Sequence, residues 1–211
     1  MFDEELLSKL ERRLQEPLPG LDAQMKMASI SRLTKVKNWR VPDDARKSAV
    51  LVLLYPGSGG LIHLPLQVRN AYPGVHSRQI GLPGGGVEPE DESYEGTALR
   101  ETEEEVGVPR ARVEVLGRLT QLYIPPSNYL VQPIVGKINF RPDFNPDPSE
   151  VAELIETPLD AFLDDANVGM GKVNPSGGAT YEVPCFNIQG KVVWGATAMM
   201  MSEFREVLQG L

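Results

Sequence analysis

Between Gly86 and Val108, acidic side chains recur at spacings that carry chemical meaning. Glu101, Glu104 and Glu105 stand three and four positions apart, so on a helix they fall within about 100° of arc and share one face. Like charges at these spacings cost an isolated helix roughly 0.2–0.5 kcal/mol per pair, and folding alone gives no reason to gather them. A hard divalent cation does: Mg²⁺ takes oxygen ligands, keeps several waters and bridges carboxylates to substrate phosphates. The competing reading is a solvated face, since glutamate is a good helix former. Only the first reading gives the cluster a task, which is phosphate chemistry.

Around that helix the sequence predicts strands, a turn, a start signal and a stop signal. Pro83-Gly84-Gly85-Gly86 reads as a turn whose glycines allow close approach of a ligand. Ser93 or Asp91 caps the helix, and Gly107-Val108-Pro109 ends it. Upstream, Ala49–Tyr55 is an apolar run that reads as a buried strand, with residues 61–68 as its hairpin partner. Downstream, residues 113–124 and 129–138 read as strands joined through Pro125-Pro126-Ser127-Asn128. Residues 141–149 read as a loop, 150–156 and 181–188 as strands and 158–163 as a short helix. Leu6, Leu7, Leu10 and Leu14 predict an N-terminal helix, and residues 194–208 a closing amphipathic one. Strands mixed with three or four helices imply an α/β sandwich around a central mixed sheet. The expected organisation is one domain over 1–211, with an N-terminal helical extension to about residue 45.

Composition narrows the class. The 211 residues are 41% hydrophobic and 24% charged, as in an ordinary globular protein. No apolar run approaches the ~20 residues that span a bilayer, and the first residues lack a signal-peptide pattern, so the expected site of action is the cytoplasm, with no membrane partner. Cys185 is the sole cysteine, which excludes an intrachain disulfide and reads as a small buried residue. His63 and His76 are too few for a histidine metal site. A net charge of −8 argues against nucleic-acid binding. The balance is uneven: Lys26, Arg32, Lys35, Lys37, Arg40, Arg46 and Lys47 against Asp43 and Asp44 give a local +5, leaving −13 elsewhere. Such a strip suits an anionic substrate, an acidic partner or plain solvent.

The order of fixed positions, Gly86, Glu92, Arg100-Glu101, Glu104-Glu105, Gly107 and Val108, resembles the Nudix box of the Nudix hydrolases. Thr102 stands where that box usually has an aliphatic residue; its methyl can pack if its hydroxyl bonds back to a helix carbonyl. The resemblance implies an α/β/α sandwich and a pyrophosphohydrolase that cleaves a nucleoside diphosphate linked to another moiety. It implies Mg²⁺, with Mn²⁺ as an alternative, held by Glu101 and Glu105, with Glu104 as a third ligand or water-mediated contact and the Gly85 or Gly86 carbonyl nearby. Catalytic roles carry over to Glu101, Arg100 and Glu104, with Arg100 and Glu92 as an orienting ion pair. The general base is Glu101 or a loop acid, Glu150 or Glu153.

Arg69 and the stretch from His76-Ser77-Arg78 to Gly84-Gly85 are similar to the coenzyme A pyrophosphatase branch, which yields 3′,5′-ADP and 4′-phosphopantetheine. On that resemblance Arg69, Arg78, Gly84 and Gly85 bind the substrate. The chain departs from the branch at Gly74, Arg78 and Leu82, where arginine, glycine and phenylalanine are usual, and in Pro65-Leu66-Gln67. ADP-ribose, NADH or a nucleoside triphosphate are the alternative substrates, and a non-catalytic nucleotide sensor is the alternative class. Many relatives are dimers, so a homodimer through the first helix or the methionine-rich last helix is a further expectation.

Overall fold

The computed structural model describes residues 3–33, 40–71, 78–174 and 179–211. Gly74, His76, Ser77, Lys35 and Lys37, singled out above, lie outside the described residues.

The chain opens with α1 (Glu4–Arg13), where Asp3 caps by accepting from the Leu6 amide at 3.0 Å and Leu7 and Leu10 are buried. Two short helices follow, α2 (Gly20–Met25) and α3 (Ile30–Leu33). The organising strand is β1 (Arg46–Pro56). Its side chains alternate between two cores, as the strand period of two requires. Ala49, Leu51, Leu53 and Tyr55 pack into one cluster, and Val52 and Leu54 into the other.

β2 (Ile62–Arg69) meets β1 only at Tyr55↔His63 and Pro56↔Ile62. The expected hairpin is therefore a short one. β3 (Ile80–Gly81) flanks β2, and the place beside β1 is taken by β4 (Gly84–Gly86), in register Ser48↔Gly86, Ala49↔Gly85 and Val50↔Gly84. The glycine run is thus a strand rather than a turn. Glycine is required at its first position, because Gly84 has φ +147° and a Cβ there would fall inside the Ala49 carbonyl and 2.5 Å from Val50 Cα.

α4 (Tyr94–Val106) carries the acidic cluster. Ser93 caps it, accepting from the Gly96 amide at 3.1 Å, and Gly107 ends it at φ 75°. Thr102 is fully buried and its hydroxyl donates to the Ala98 carbonyl at 2.7 Å, so the departure from an aliphatic residue is accommodated as expected.

β5 (Glu114–Arg118), β6 (Leu122–Ile124) and β7 (Tyr129–Lys137) complete this half of the sheet, with β7 parallel to β1 and the other two antiparallel to β7. β8 (Val151–Pro158) pairs antiparallel with β2, and α5 (Asp160–Leu163) follows it. The result is an eight-stranded mixed sheet between helical layers.

A second sheet, β9 (Val168–Val173), β10 (Tyr181–Ile188) and β11 (Lys191–Trp194), leads into α6 (Gly195–Gln209). Met199, Met200 and Met201 are buried in the core of this chain, as are Leu7 and Leu10. The apolar faces of both helices offered above as a dimer interface are therefore already covered. Glu203, also fully buried on α6, accepts from Gln24 Nε2 at 2.8 Å and from the Gly20 and Thr120 amides at 3.2 Å. It ties the N-terminal helices to the loop before β6.

Candidate active site

Two elements put the acids in place. α4 lies across β4, and β4 has no side chains to hold it away. The Gly85 Cα consequently sits against the Glu101 carboxylate: a Cβ on Gly85 would lie 2.5 Å from Glu101 Cδ and both oxygens. One residue back, the Gly84 amide donates to Glu105 Oε2 at 2.7 Å, and Arg69 Nη2 stands 3.8 Å from Glu105 Oε1. Glu105 is 2% exposed, and burial pushes its carboxyl up to about 7, against the Gly84 amide and Arg69. Burial raises Glu101 as well, opposed by Arg100 and reinforced by the charges of Glu104 and Glu150.

Arg100 is the hub. It donates through Nε and Nη2 to Asp91 at 3.0 Å, through Nη2 to the Gly86 carbonyl at 3.0 Å and through Nη1 to Glu104 at 2.9 Å; Nη1 also lies 3.0 Å from Glu101 Oε1. A planar fork with five donors suits this task as an ammonium would not. Its carboxylate anchor is Asp91, not Glu92, which is exposed; the chain reaches Arg100 one residue earlier than expected because Asp91 is drawn in by the Glu88 amide and the Thr97 hydroxyl. The Arg100 bonds hold the Asp91 carboxyl down at about 2.

The three glutamates do not converge on one point. Glu104 is largely exposed, Glu101 is held by Arg100, and Glu105 turns inward to Gly84. Among the described residues no three acids, histidines or cysteines are gathered closely enough to hold a metal by themselves. The donor set nevertheless fits a hard cation that keeps most of its water. Four acids, Asp91, Glu101, Glu104 and Glu105, face two guanidiniums, Arg69 and Arg100, so that with all four ionised two negative charges are left for a dication to offset.

On the other face of the glycine strand lies a cavity of about 310 Å³. Arg69, Gly84, Gly85 and Gly86 line it from the acidic side, and Tyr129, Trp194 and Thr197 from the opposite side. Arg69 is therefore shared between the cavity and Glu105. Arg78, at φ 57°, is exposed and is not part of this lining. Glu150 is exposed, and Glu153 pairs with Lys191 at 2.8 Å. Trp194-Gly195 is a further point of similarity to the coenzyme A branch, whereas Thr197 and Tyr129 had no motif to mark them; the register of β7 and the start of α6 bring the three together.

A mixed sheet carrying an acidic helix over a side-chain-free strand defines a Nudix architecture, and comparison with known proteins agrees. The NUDIX domain model matches residues 45–175. Nudix hydrolase NudL of Photorhabdus laumondii, itself uncharacterised, is 34% identical over 172 residues, covering 81% of this chain and 89% of that protein. Nudix hydrolase 22, chloroplastic, of Arabidopsis thaliana is 32% identical over 162 residues, covering 74% of this chain and 53% of that protein, so the chain spans about half of that longer relative. The fold matches the Nudix hydrolase RenU of M. smegmatis with TM-score 0.53 at 20% identity, covering 79% of this chain and 88% of that one. It also matches a MutT/nudix family protein of Enterococcus faecalis with TM-score 0.50 at 18% identity, covering 89% and 73%. The chain is an enzyme of the Nudix hydrolase family. Such hydrolases generally use divalent metal ions, and no described helix is long and apolar enough to cross a membrane.

Proposed function

We propose that this enzyme is a Mg²⁺-dependent pyrophosphohydrolase acting on a nucleoside diphosphate linked to another moiety, with coenzyme A or its thioesters as substrate. The observation that carries this reading is the lining of the cavity. Arg69 and the run Gln79-Ile80-Gly81, through which the chain resembles the coenzyme A branch, form its wall together with Gly84, Gly85 and Leu82, the last a departure from that branch. At about 310 Å³ the cavity is at the small end of ligand sites, and it suits part of such a substrate rather than the whole.

Glu101 and Glu105 would hold the metal, and Glu104 would contribute directly or through water. When bound, a divalent cation offsets phosphate charge and lowers the pKa of water. Arg100 orients Glu101 and Glu104, and Asp91 fixes Arg100 from behind. Gly84 N–H holds Glu105 in position. Arg69 directs the rest of its guanidinium toward a phosphate entering the cavity. Glu101 takes the proton of the attacking water, whose oxygen bonds to one phosphorus as the bridging oxygen leaves with the other phosphate. The polypeptide from 1 to 211 acts as a single unit, with the N-terminal helices braced on α6.

The test is chromatography of products after incubation with Mg²⁺ and a panel of coenzyme A, acetyl-coenzyme A, ADP-ribose, NADH and nucleoside triphosphates. Release of 3′,5′-ADP from coenzyme A, lost in Glu105→Gln, supports the proposal. Cleavage of another diphosphate instead overturns the substrate and keeps the chemistry, and no cleavage with Mg²⁺ or Mn²⁺ overturns both.

A further inference from the structure

Trp194, at the end of β11, lines two cavities. One is the cavity beside the glycine strand. The other, of about 320 Å³, lies between Ser29 and Ile30 at the start of α3 and the β9–β10 ladder; Val173, Tyr181, Val183 and Trp194 give it a mostly apolar lining, with Ser29 and Glu182 as its polar members. Val173 and Val183 are buried, whereas Ile30 and Tyr181 are 70% and 56% exposed at its mouth. Apolar side chains left open around a concavity are a mark of ligand recognition rather than of folding.

Phosphates have no use for such a surface. Their partners, Arg69 and the glycine strand, line the first cavity only. A molecule that occupies both cavities must join a polar diphosphate to an extended apolar arm. Trp194 is the residue common to both linings, held where β11 ends at Cys185↔Trp194 and the chain turns at Gly195 (φ 64°) into α6. Thr197 Oγ1 donates to the Ile80 carbonyl at 2.9 Å, which fixes the first turn of α6 to β3 and with it the position of Trp194.

We infer that the second cavity is a subsite for the apolar distal arm of the substrate, which passes along Trp194 from the diphosphate. That the arm is an acyl thioester chain rests on the coenzyme A reading above. The apolar character of the subsite does not.

Two measurements separate the claims. The chain has two tryptophans, so Trp39→Phe leaves Trp194 as the sole reporter, and its emission is followed while decanoyl-pantetheine, an arm without a nucleotide, is titrated. The expected result is a saturable shift that Tyr181→Asp weakens at least tenfold. KM is then compared for acetyl-, hexanoyl- and decanoyl-coenzyme A. Each methylene that enters an apolar site contributes about fourfold, so KM falls with chain length in the wild type. In Ile30→Asp and Tyr181→Asp that dependence flattens, while KM for free coenzyme A is unchanged. Both substitutions are at exposed positions, and circular dichroism checks that the variants fold. Cleavage of thioesters with no dependence on chain length and no Trp194 shift overturns the inference and leaves the proposed function standing. Binding of decanoyl-pantetheine that neither substitution weakens also overturns it. Tyr181-dependent binding without cleavage of any coenzyme A compound supports the subsite and overturns the coenzyme A reading.

Discussion

Gly85→Ala should abolish most activity without harming the fold. The added Cβ lies 2.5 Å from the Glu101 carboxylate, and ordinary contact begins at 3.4 Å, so that carboxylate must withdraw by 0.9 Å. A displacement of about 1 Å in a catalytic group costs on the order of a hundredfold, equivalent to about 2.7 kcal/mol of transition-state stabilisation. The backbone does not object: Gly85 is absent from the positive-φ glycines, and what moves is the far end of a flexible side chain. Alanine in a strand is favoured over glycine by roughly 0.5–1 kcal/mol, so the melting temperature should hold or rise. Gly84→Ala is the contrast, because φ +147° and the Ala49–Val50 backbone leave its Cβ no place to go; it should lose stability together with activity. The assay is kcat/KM on whichever diphosphate of the panel is cut, beside thermal melts of both variants. If Gly85→Ala kept activity within threefold of wild type at an unchanged melting temperature, close seating of Glu101 against the glycine strand would have no catalytic role.

Asp91→Asn should lower stability at pH 7 by roughly 1.5–3 kcal/mol, the range for a hydrogen bond to a charged group. The Asp91 carboxyl is depressed in the fold, so its contribution is present above the ordinary carboxylate range and fades as pH falls toward about 2. Urea unfolding at pH 7 and pH 3 should therefore show a smaller difference in the variant. Glu203→Ala strands the Gly20 and Thr120 amides and one of the two Gln24 Nε2 hydrogens, the other still donating to the Thr120 carbonyl at 2.9 Å, and at about 1–3 kcal/mol per orphaned group it should cost about 3 kcal/mol or more in chemical denaturation. Thr102→Val places an aliphatic residue at a buried position whose side chain, among the described residues, bonds only to its own helix; kcat should stay close to wild type, with a stability change within about 1.5 kcal/mol, the net worth of one hydrogen bond.

Much of this arrangement could be read from the residues. The 3.6-residue period of Leu7, Leu10 and Leu14, the apolar run Ala49–Tyr55 and the Ser93 and Gly107 caps each specify a local element, and the structure has them. What local signals do not carry is pairing. Three consecutive glycines read as a turn because their strand character comes only from the β1 backbone beside them. β9, Val-Gly-Met-Gly-Lys-Val, has too few β-branched side chains to stand out. A signal for β10–β11 was present in Gln189-Gly190, both at positive φ as a two-residue hairpin demands. At the site, the box spacing located Arg100 and the glutamates, but the choice of Asp91 over Glu92 depends on which carboxylate the helix start turns inward. The aromatic wall of the cavity comes from residues far apart in sequence.

The alternation along β1 divides labour between neighbouring residues. Ala49 and Leu51 support the layer that carries α4, while Ser48 and Val50 line the cavity on the reverse side. Apart from Arg69 and the glycine strand, which serve both faces, what the enzyme admits and how it breaks a bond are governed by separate sets of positions. Substitutions on one face should be able to redirect the enzyme to a new molecule while the reaction stays the same, which makes this scaffold easier to diversify than one whose recognition and bond-breaking groups share a wall.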